Sequence, residues 1–320
     1  MPRIFITRIW PGSAIERLNG YEVDVWPEFE APPRDVLLQR ARGVDALITT
    51  LDDRIDAELL DAAGPSLKIV AQSAVGYNNI DLDAARQRGV WVTNTPGVLD
   101  EATADIAFAL FMAAARRIAE GMDYVRAGKW TAWHPSLLLG ADLHGATMGI
   151  VGLGRIGAAF ARRCTGFDMK ILYTGRKPRP LADAQGYEFR PLDDLLAESD
   201  FVSLHVPLTP ETNNLMNRDR LRRMKQGAIL INTARGQVVD TEALIEVLRD
   251  GHLAGAGLDV TDPEPLPADH PLLQLPNVVV TPHIGSASYR TRTTMIELAV
   301  GDTLAVLEGR QPVHPVVSVE

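Results

Sequence analysis

Thr147-Met148-Gly149-Ile150-Val151-Gly152-Leu153-Gly154-Arg155-Ile156-Gly157 is the stretch on which the fold turns. Apolar Met148, Ile150 and Val151 lead straight into Gly152, Gly154 and Gly157, and residues 158–163 continue with helix formers. Strand, glycine turn and helix start, in that order, are the context a G-x-G-x-x-G spacing needs before it counts as a dinucleotide fingerprint. Gly152 permits the tight turn, Gly154 lets the backbone approach a pyrophosphate, and Gly157 lets helix and strand pack closely. The helix N-terminus offers its unpaired N–H groups to the phosphates. The same spacing also joins strands to helices without any ligand, so the flanking pattern carries the assignment.

The next element of the fingerprint is missing. A carboxylate that binds the cofactor ribose is expected about 20 residues past the glycines, at the end of the second strand. Here strand 170–173 is followed by Thr174-Gly175-Arg176-Lys177-Pro178-Arg179, with three cations and no acid. Guanidinium and ammonium groups neutralise a 2′-phosphate through charge-assisted hydrogen bonds, whereas a carboxylate repels it. NADP(H) is therefore the expected cofactor, with NAD(H) possible if the cations only solvate the turn.

A chain of 320 residues has room for two domains of typical size. Its net charge of -9 argues against a general affinity for nucleic acid or an anionic membrane, so the cations at 176–179 are a local feature. The one cysteine, Cys164, falls inside the helix after the fingerprint and reads as a core residue in a reducing compartment. No signal-peptide pattern and no apolar run of the ~18 residues that span a bilayer is evident, so a cytoplasmic location is expected.

Residues 1 to about 96 alternate strand (4–7, 23–26, 46–49, 68–72, 90–94) with helix (34–42, 56–63), the pattern of a parallel sheet covered on both faces. Ligands of such sheets sit beyond the C-terminal strand ends. Two ends stand out: Leu51, and the small-residue turn 73–79, whose N–H groups at Val75 and Gly76 could hold a carboxylate or simply turn the chain. Thr95-Pro96-Gly97 breaks the pattern. Asp100 can then cap a long helix, 101–127, with Ile106, Ala109, Leu110, Ala113 and Ala114 at helical spacing. Trp130 and Trp133 follow in a polar loop and are expected to bury in a subunit contact. Further βα units run on (helices 192–197, 218–224 and 241–250; strands 201–206, 228–232, 254–259 and 278–281), before a long helix at 288–308. The expected domains are 98–287, which binds the dinucleotide, and 1–97 with 288–320, which binds substrate.

Three residues stand just past apolar strands where a nicotinamide would lie: Arg235 in Asn232-Thr233-Ala234-Arg235-Gly236, Glu264 between Pro263 and Pro265, and His283 in Thr281-Pro282-His283-Ile284-Gly285-Ser286. Singly, each also fits a surface charge, a rim carboxylate or a capping histidine; only together with a cofactor are they informative. With residues 173–180 and 257–267, these motifs make the whole chain resemble the D-2-hydroxyacid dehydrogenases, and within them the glyoxylate/hydroxypyruvate reductases.

The resemblance implies two doubly wound parallel-sheet (Rossmann-like) domains with the active site in the cleft between them. It implies that His283 is the general acid, paired with Glu264, since an adjacent carboxylate favours the imidazolium. Arg235 would grip the carboxylate and carbonyl oxygen of a 2-oxo acid. Leu51, Val75, Gly76 and Ser286 are implied on the substrate, and Trp133 from the partner subunit of a homodimer. Gly152, Gly154, Arg155, Ile156, Gly157, Thr174, Arg176, Lys177, Arg179, Pro207, Thr233 and Gly285 are implied on the cofactor, with Asp259 holding the nicotinamide amide. No metal is expected. The implied reaction is NADPH-dependent reduction of glyoxylate or hydroxypyruvate. The alternatives are another D-2-hydroxyacid dehydrogenase (D-lactate, phosphoglycerate or a broad 2-oxo acid) and a dinucleotide-sensing corepressor, which would read NAD(H) and so sit poorly with the cationic turn.

Overall fold

The computed structural model describes residues 1–183 and 185–318, and the chain divides into two compact units, Met1–Leu99 with Ala287–Glu320, and Asp100–Ser286. In chain order the strands are β1 (Arg3–Ile6), β2 (Glu22–Val25), β3 (Ala46–Thr49), β4 (Ile69–Gln72), β5 (Trp91–Thr93), β6 (Thr147–Val151), β7 (Lys170–Thr174), β8 (Glu188–Phe189), β9 (Phe201–Leu204), β10 (Ala228–Asn232), β11 (Leu253–Leu258), β12 (Val278–Val280) and β13 (Pro315–Val317).

In the first unit the sheet order is β13-β5-β4-β3-β1-β2, parallel apart from β13. Both faces are covered, so β3 and β4 are buried along their whole length and read as uninterrupted apolar runs. Phe5, Leu47 and Val70 point to helices Arg34–Ala41 and Ala57–Ala63, while Ile4, Ile48 and Ile69 meet Ile296, Ala299 and Val300 of helix Tyr289–Leu307. Asp56 and Ser288 stand outside their helices as N-caps, accepting from the N–H groups of Leu59 and Thr291. Buried Asp302 ties the tail to the last helix, accepting from Val313 N at 2.7 Å and pairing with His314 Nδ1 at 3.0 Å. β13 then lies antiparallel on β5.

The second unit has an all-parallel sheet, β12-β11-β10-β9-β6-β7-β8. β6 is flanked by its successor β7 on one side and by β9 on the other, so the order of strand addition reverses beside it. The glycine turn opens at that switch point, where a crevice forms beyond the strand ends. Cys164 is fully buried, and burial pushes its thiol up to about 12.

The helix expected at 101–127 is two helices, Asp100–Ala115 and Ile118–Arg126. The Ala115 carbonyl is taken by Ala141 N at 2.9 Å instead of by a further helical turn, and Arg117 reverses the chain at a φ of 52°. Asp100 is the first helical residue. The buried stripe also differs from the one expected: Thr103, Ala104, Ala107, Leu110, Phe111 and Ala115 face inward, and Ala109 is exposed. The phase is set by packing, because Leu110 lies over Gly257 and the Phe111 ring meets Phe201 edge-on at 4.7 Å. Helix Leu82–Gln87 and the two-residue β8 lack a sequence period long enough to be seen. Among the described residues no helix is long and apolar enough to cross a membrane.

Candidate active site

The chemistry-bearing residues of the second unit collect at one edge of its sheet. Arg235 follows β10, Asp259 and Glu264 follow β11, and His283 follows β12, three adjacent parallel strands whose C-terminal ends point the same way. His283 Nδ1 lies 2.5 Å from Glu264 Oε1. Glu264 Oε2 also accepts from Thr261 N at 3.2 Å. Burial opposes ionisation of Glu264, but the bond and charge of His283, with Thr261 N–H and Arg235, outweigh it and hold the carboxyl below the usual glutamate value. Burial lowers the Arg235 guanidinium and the charge of Glu264 works the other way. Arg235 Nη1 donates to Ala234 O at 2.6 Å.

His283 takes a left-handed φ of 52°, uncommon for a side chain with a Cβ. One residue over-determines that conformation. Asp259, buried at the end of β11, accepts His283 N on its carbonyl at 3.0 Å; its Oδ1 takes Thr281 Oγ1 at 2.6 Å and Ile284 N at 2.8 Å, and its Oδ2 takes Gly285 N at 2.7 Å. The structure thus places Asp259 beneath the histidine turn, with its carboxylate engaged by that turn. Such strain persists only where the surroundings fix it, which is common at functional sites.

Gly236 locks the β10 loop to the β11 loop. A Cβ there would lie 1.9 Å from the Thr261 carbonyl oxygen and 2.0 Å from its carbon, so backbone packs on backbone. Arg235 and Glu264 are thereby set against each other by main-chain contact.

The other end of the same sheet edge carries the glycine turn. Gly152 has a φ of 97° and its missing Cβ would meet His205 O at 2.7 Å; a Cβ on Gly157 would meet Gly152 O at 2.3 Å, while the space beside Gly154 is open. Thr174 is buried, and its carbonyl accepts Gly152 N at 3.1 Å, joining the ends of β6 and β7. Arg155 is exposed and 3.7 Å from Asp100, and Ile156 is half-buried. Arg176 and Lys177 are exposed, whereas Arg179 folds back so that Nη1 donates to the Leu153 carbonyl of the glycine turn. Pro207 is exposed beyond β9. The buried Thr233 hydroxyl has no partner among the described residues, Gly285 is buried, and Ser286 is half-buried.

In the first unit, Leu51, Val75 and Gly76 are half-buried at the ends of β3 and β4. Asn94 Nδ2 holds the Val75 carbonyl at 2.8 Å and Gln72 Nε2 holds that of Gly76 at 3.2 Å. Asn79 fixes the turn to the β3 end through Thr50 O and Asp53 O. Trp133 is 82% exposed and Trp130 65%, in a loop beside helix Ile118–Arg126.

Several supporting residues escape a sequence reading. Gln72, Asn79 and Asn94 have no motif, and their role appears only once β3 is paired with β4 (Gln72, Asn79) and β4 with β5 (Asn94). His205, behind the glycine turn, bonds Ser203 Oγ through Nε2 at 2.9 Å, and burial pushes its imidazole down to about 3, so it is neutral. The only signal for it is its place at a strand end.

The family model for the D-isomer specific 2-hydroxyacid dehydrogenase NAD binding domain matches residues 108–285. The chain belongs to the D-2-hydroxyacid dehydrogenase family. This dehydrogenase is 53% identical, over 97% of its length and 94% of the relative's, to a glyoxylate reductase of Korarchaeum cryptofilum. Among solved structures, a protein of Thermus thermophilus is 57% identical with a TM-score of 0.94, covering 98% of this dehydrogenase and 100% of that chain. An NADPH-dependent glyoxylate/hydroxypyruvate reductase of Sinorhizobium meliloti, in complex with NADP and malonate, is 35% identical with a TM-score of 0.85, covering 99% and 97%. It is an NAD(P)-dependent family whose members act on small 2-oxo or 2-hydroxy acids, and the two Rossmann-like sheets are those of that fold.

Proposed function

We propose that this dehydrogenase reduces glyoxylate or hydroxypyruvate to glycolate or D-glycerate and prefers NADPH. The observation that carries the chemistry is the 2.5 Å His283–Glu264 pair, formed between the loops after β12 and β11, with β11 next to β10, the strand that delivers Arg235. The substrate class is supported by the names of the relatives, and the cofactor preference by a strand end with three cations and no carboxylate.

The cofactor site fits a dinucleotide. Open space beside Gly154, the N-terminus of helix Arg155–Thr165 and the unpartnered Thr233 hydroxyl are the features a pyrophosphate and a ribose or nicotinamide need. When bound, the reduced nicotinamide supplies the hydride to C2. Protonated His283 then gives its Nε2 proton to the oxygen developing at C2, while Glu264 on Nδ1 keeps the ring oriented. Arg235, already largely desolvated, clamps the 2-oxo acid and stabilises negative charge as it builds on that oxygen. Val75 and Gly76 are the proposed N–H donors to the substrate carboxylate, with Leu51 as a further substrate contact.

The proposed homodimer contact is helix Ile118–Arg126, where Ile118, Met122 and Val125 are exposed, with the loop after it that carries exposed Trp130 and Trp133. Trp133 reaches the partner's substrate pocket from that loop.

The test is a comparison of kcat/KM for glyoxylate and hydroxypyruvate, each with NADPH and NADH, followed through absorbance of the reduced nicotinamide. Fast turnover with NADPH and slow turnover with NADH is expected. Turnover that favours NADH would discard the cationic turn as the selector, and activity only on other 2-oxo acids would discard the substrate.

A further inference from the structure

The cationic turn 175–179 leaves the sheet at β7, and its far end is tied back into the core. Tyr173, the fourth residue of β7, is fully buried, its ring edge-on to Phe189 at 5.5 Å. Its phenol oxygen nevertheless reaches the turn, accepting the Arg179 N–H at 2.8 Å and facing the Arg179 carbonyl as a donor at 3.5 Å. Both bonds of one buried hydroxyl thus fall on a single residue of an exposed turn. The Arg179 side chain then runs from that anchor to the Leu153 carbonyl. The start of the turn is fixed as well, since Thr174 O holds Gly152 N. Arg176 and Lys177 sit on a loop pinned at both ends.

We propose that the Tyr173 hydroxyl is a specificity-positioning group, holding the cationic turn against the glycine turn in the geometry that receives a 2′-phosphate. This rests on the NADPH preference put forward above. A phenol that only filled the core would need its ring, not its oxygen. The oxygen's bonds go to the backbone of the one cation that spans the two turns. A five-residue loop with an exposed Gly175 and no such anchor would have to be ordered by each incoming phosphate, at a cost in affinity.

The test is Tyr173→Phe, which keeps the ring and removes the oxygen. Calorimetric titration of the full-length protein with NADP⁺, NAD⁺ and adenosine 2′,5′-bisphosphate reads binding without turnover. Loss of the hydroxyl and its bonds to Arg179 should weaken NADP⁺ and the bisphosphate by about three- to tenfold and leave NAD⁺ within about twofold. Thermal unfolding checks that the variant is folded. Arg176→Ala with Lys177→Ala is the reference. If the double variant loses its NADP⁺ preference while Tyr173→Phe keeps it, the anchor is wrong and the cofactor assignment stands. Equal weakening of NADP⁺ and NAD⁺ by Tyr173→Phe also overturns it, because the oxygen would then serve the fold alone. If the unaltered protein binds NAD⁺ as tightly as NADP⁺, the cofactor assignment fails and the anchor's role falls with it.

Discussion

Replacing Gly236 by alanine tests whether backbone packing sets the catalytic geometry. The added methyl would start 1.9 Å from Thr261 O, and with ordinary contact beginning near 3.4 Å a retreat of roughly 1.5 Å is needed. Neither contact atom belongs to a flexible side chain. The glycine side is the stiffer one, because Gly236 and Val238 are buried in the short 3-10 turn. Thr261 itself is buried, but the chain leaves the core directly after it, so the displacement passes along the β11 loop. Glu264 moves with it, and its 2.5 Å bond to His283 has no slack. Overpacking of this kind costs about 1–3 kcal/mol of stability, and a misplacement of about 1 Å at a reacting centre costs on the order of 10²-fold in rate. Steady-state kcat for Gly236→Ala should therefore fall about a hundredfold, while calorimetric affinity for adenosine 2′,5′-bisphosphate, whose proposed contacts lie at the β6–β7 end of the sheet, changes little. A variant with wild-type kcat would show that the loop contact does not govern the site.

His283→Ala should lower kcat by about 10²–10⁴ with cofactor affinity unchanged, as loss of a general acid does, and an unchanged kcat in stopped-flow or steady-state assay would remove it from the mechanism. Glu264 titrates below the ordinary 4.5 in the folded protein, so the stability its charge contributes is complete above that value and is lost as pH falls through the lower one. The gap in unfolding free energy between the wild type and Glu264→Gln should accordingly close only below about pH 4.5; closure already between pH 6 and 5 would contradict the assignment. Cys164, buried with its thiol raised to about 12, should not react with a thiol reagent at pH 8 until denaturant is added, and rapid labelling of the native protein would show that the helix opens there.

What could be read from the sequence follows from how locally each feature is encoded. The glycine turn, β3 and β10 are written in runs of consecutive residues, and their spans match the structure because two covered faces require unbroken apolar runs. Arg235, Glu264 and His283 could be nominated individually by their strand ends, yet their pairing depends on β10, β11 and β12 being neighbours, a property of sheet order. The break at Arg117 was hidden for the same reason: its cause is Ala141, far along the chain, and residues 114–118 carry neither glycine nor proline to announce it. Asp259 shows the deepest gap. Its position after a strand is visible, but the four bonds through which it shapes the histidine turn belong to residues more than twenty positions away.

The first unit is discontinuous, and this dictates an order of assembly during synthesis. β5 is made early, but its neighbour β13 and the helix Tyr289–Leu307 that covers Ile48 and Ile69 emerge only after the whole second unit. At about 5–20 residues per second, the 222 positions from Thr93 to Pro315 hold that strand edge and that apolar face open for roughly 10–45 s. The contiguous unit Asp100–Ser286 can close meanwhile without waiting for any other segment. The oldest part of the nascent chain is therefore the last to be finished.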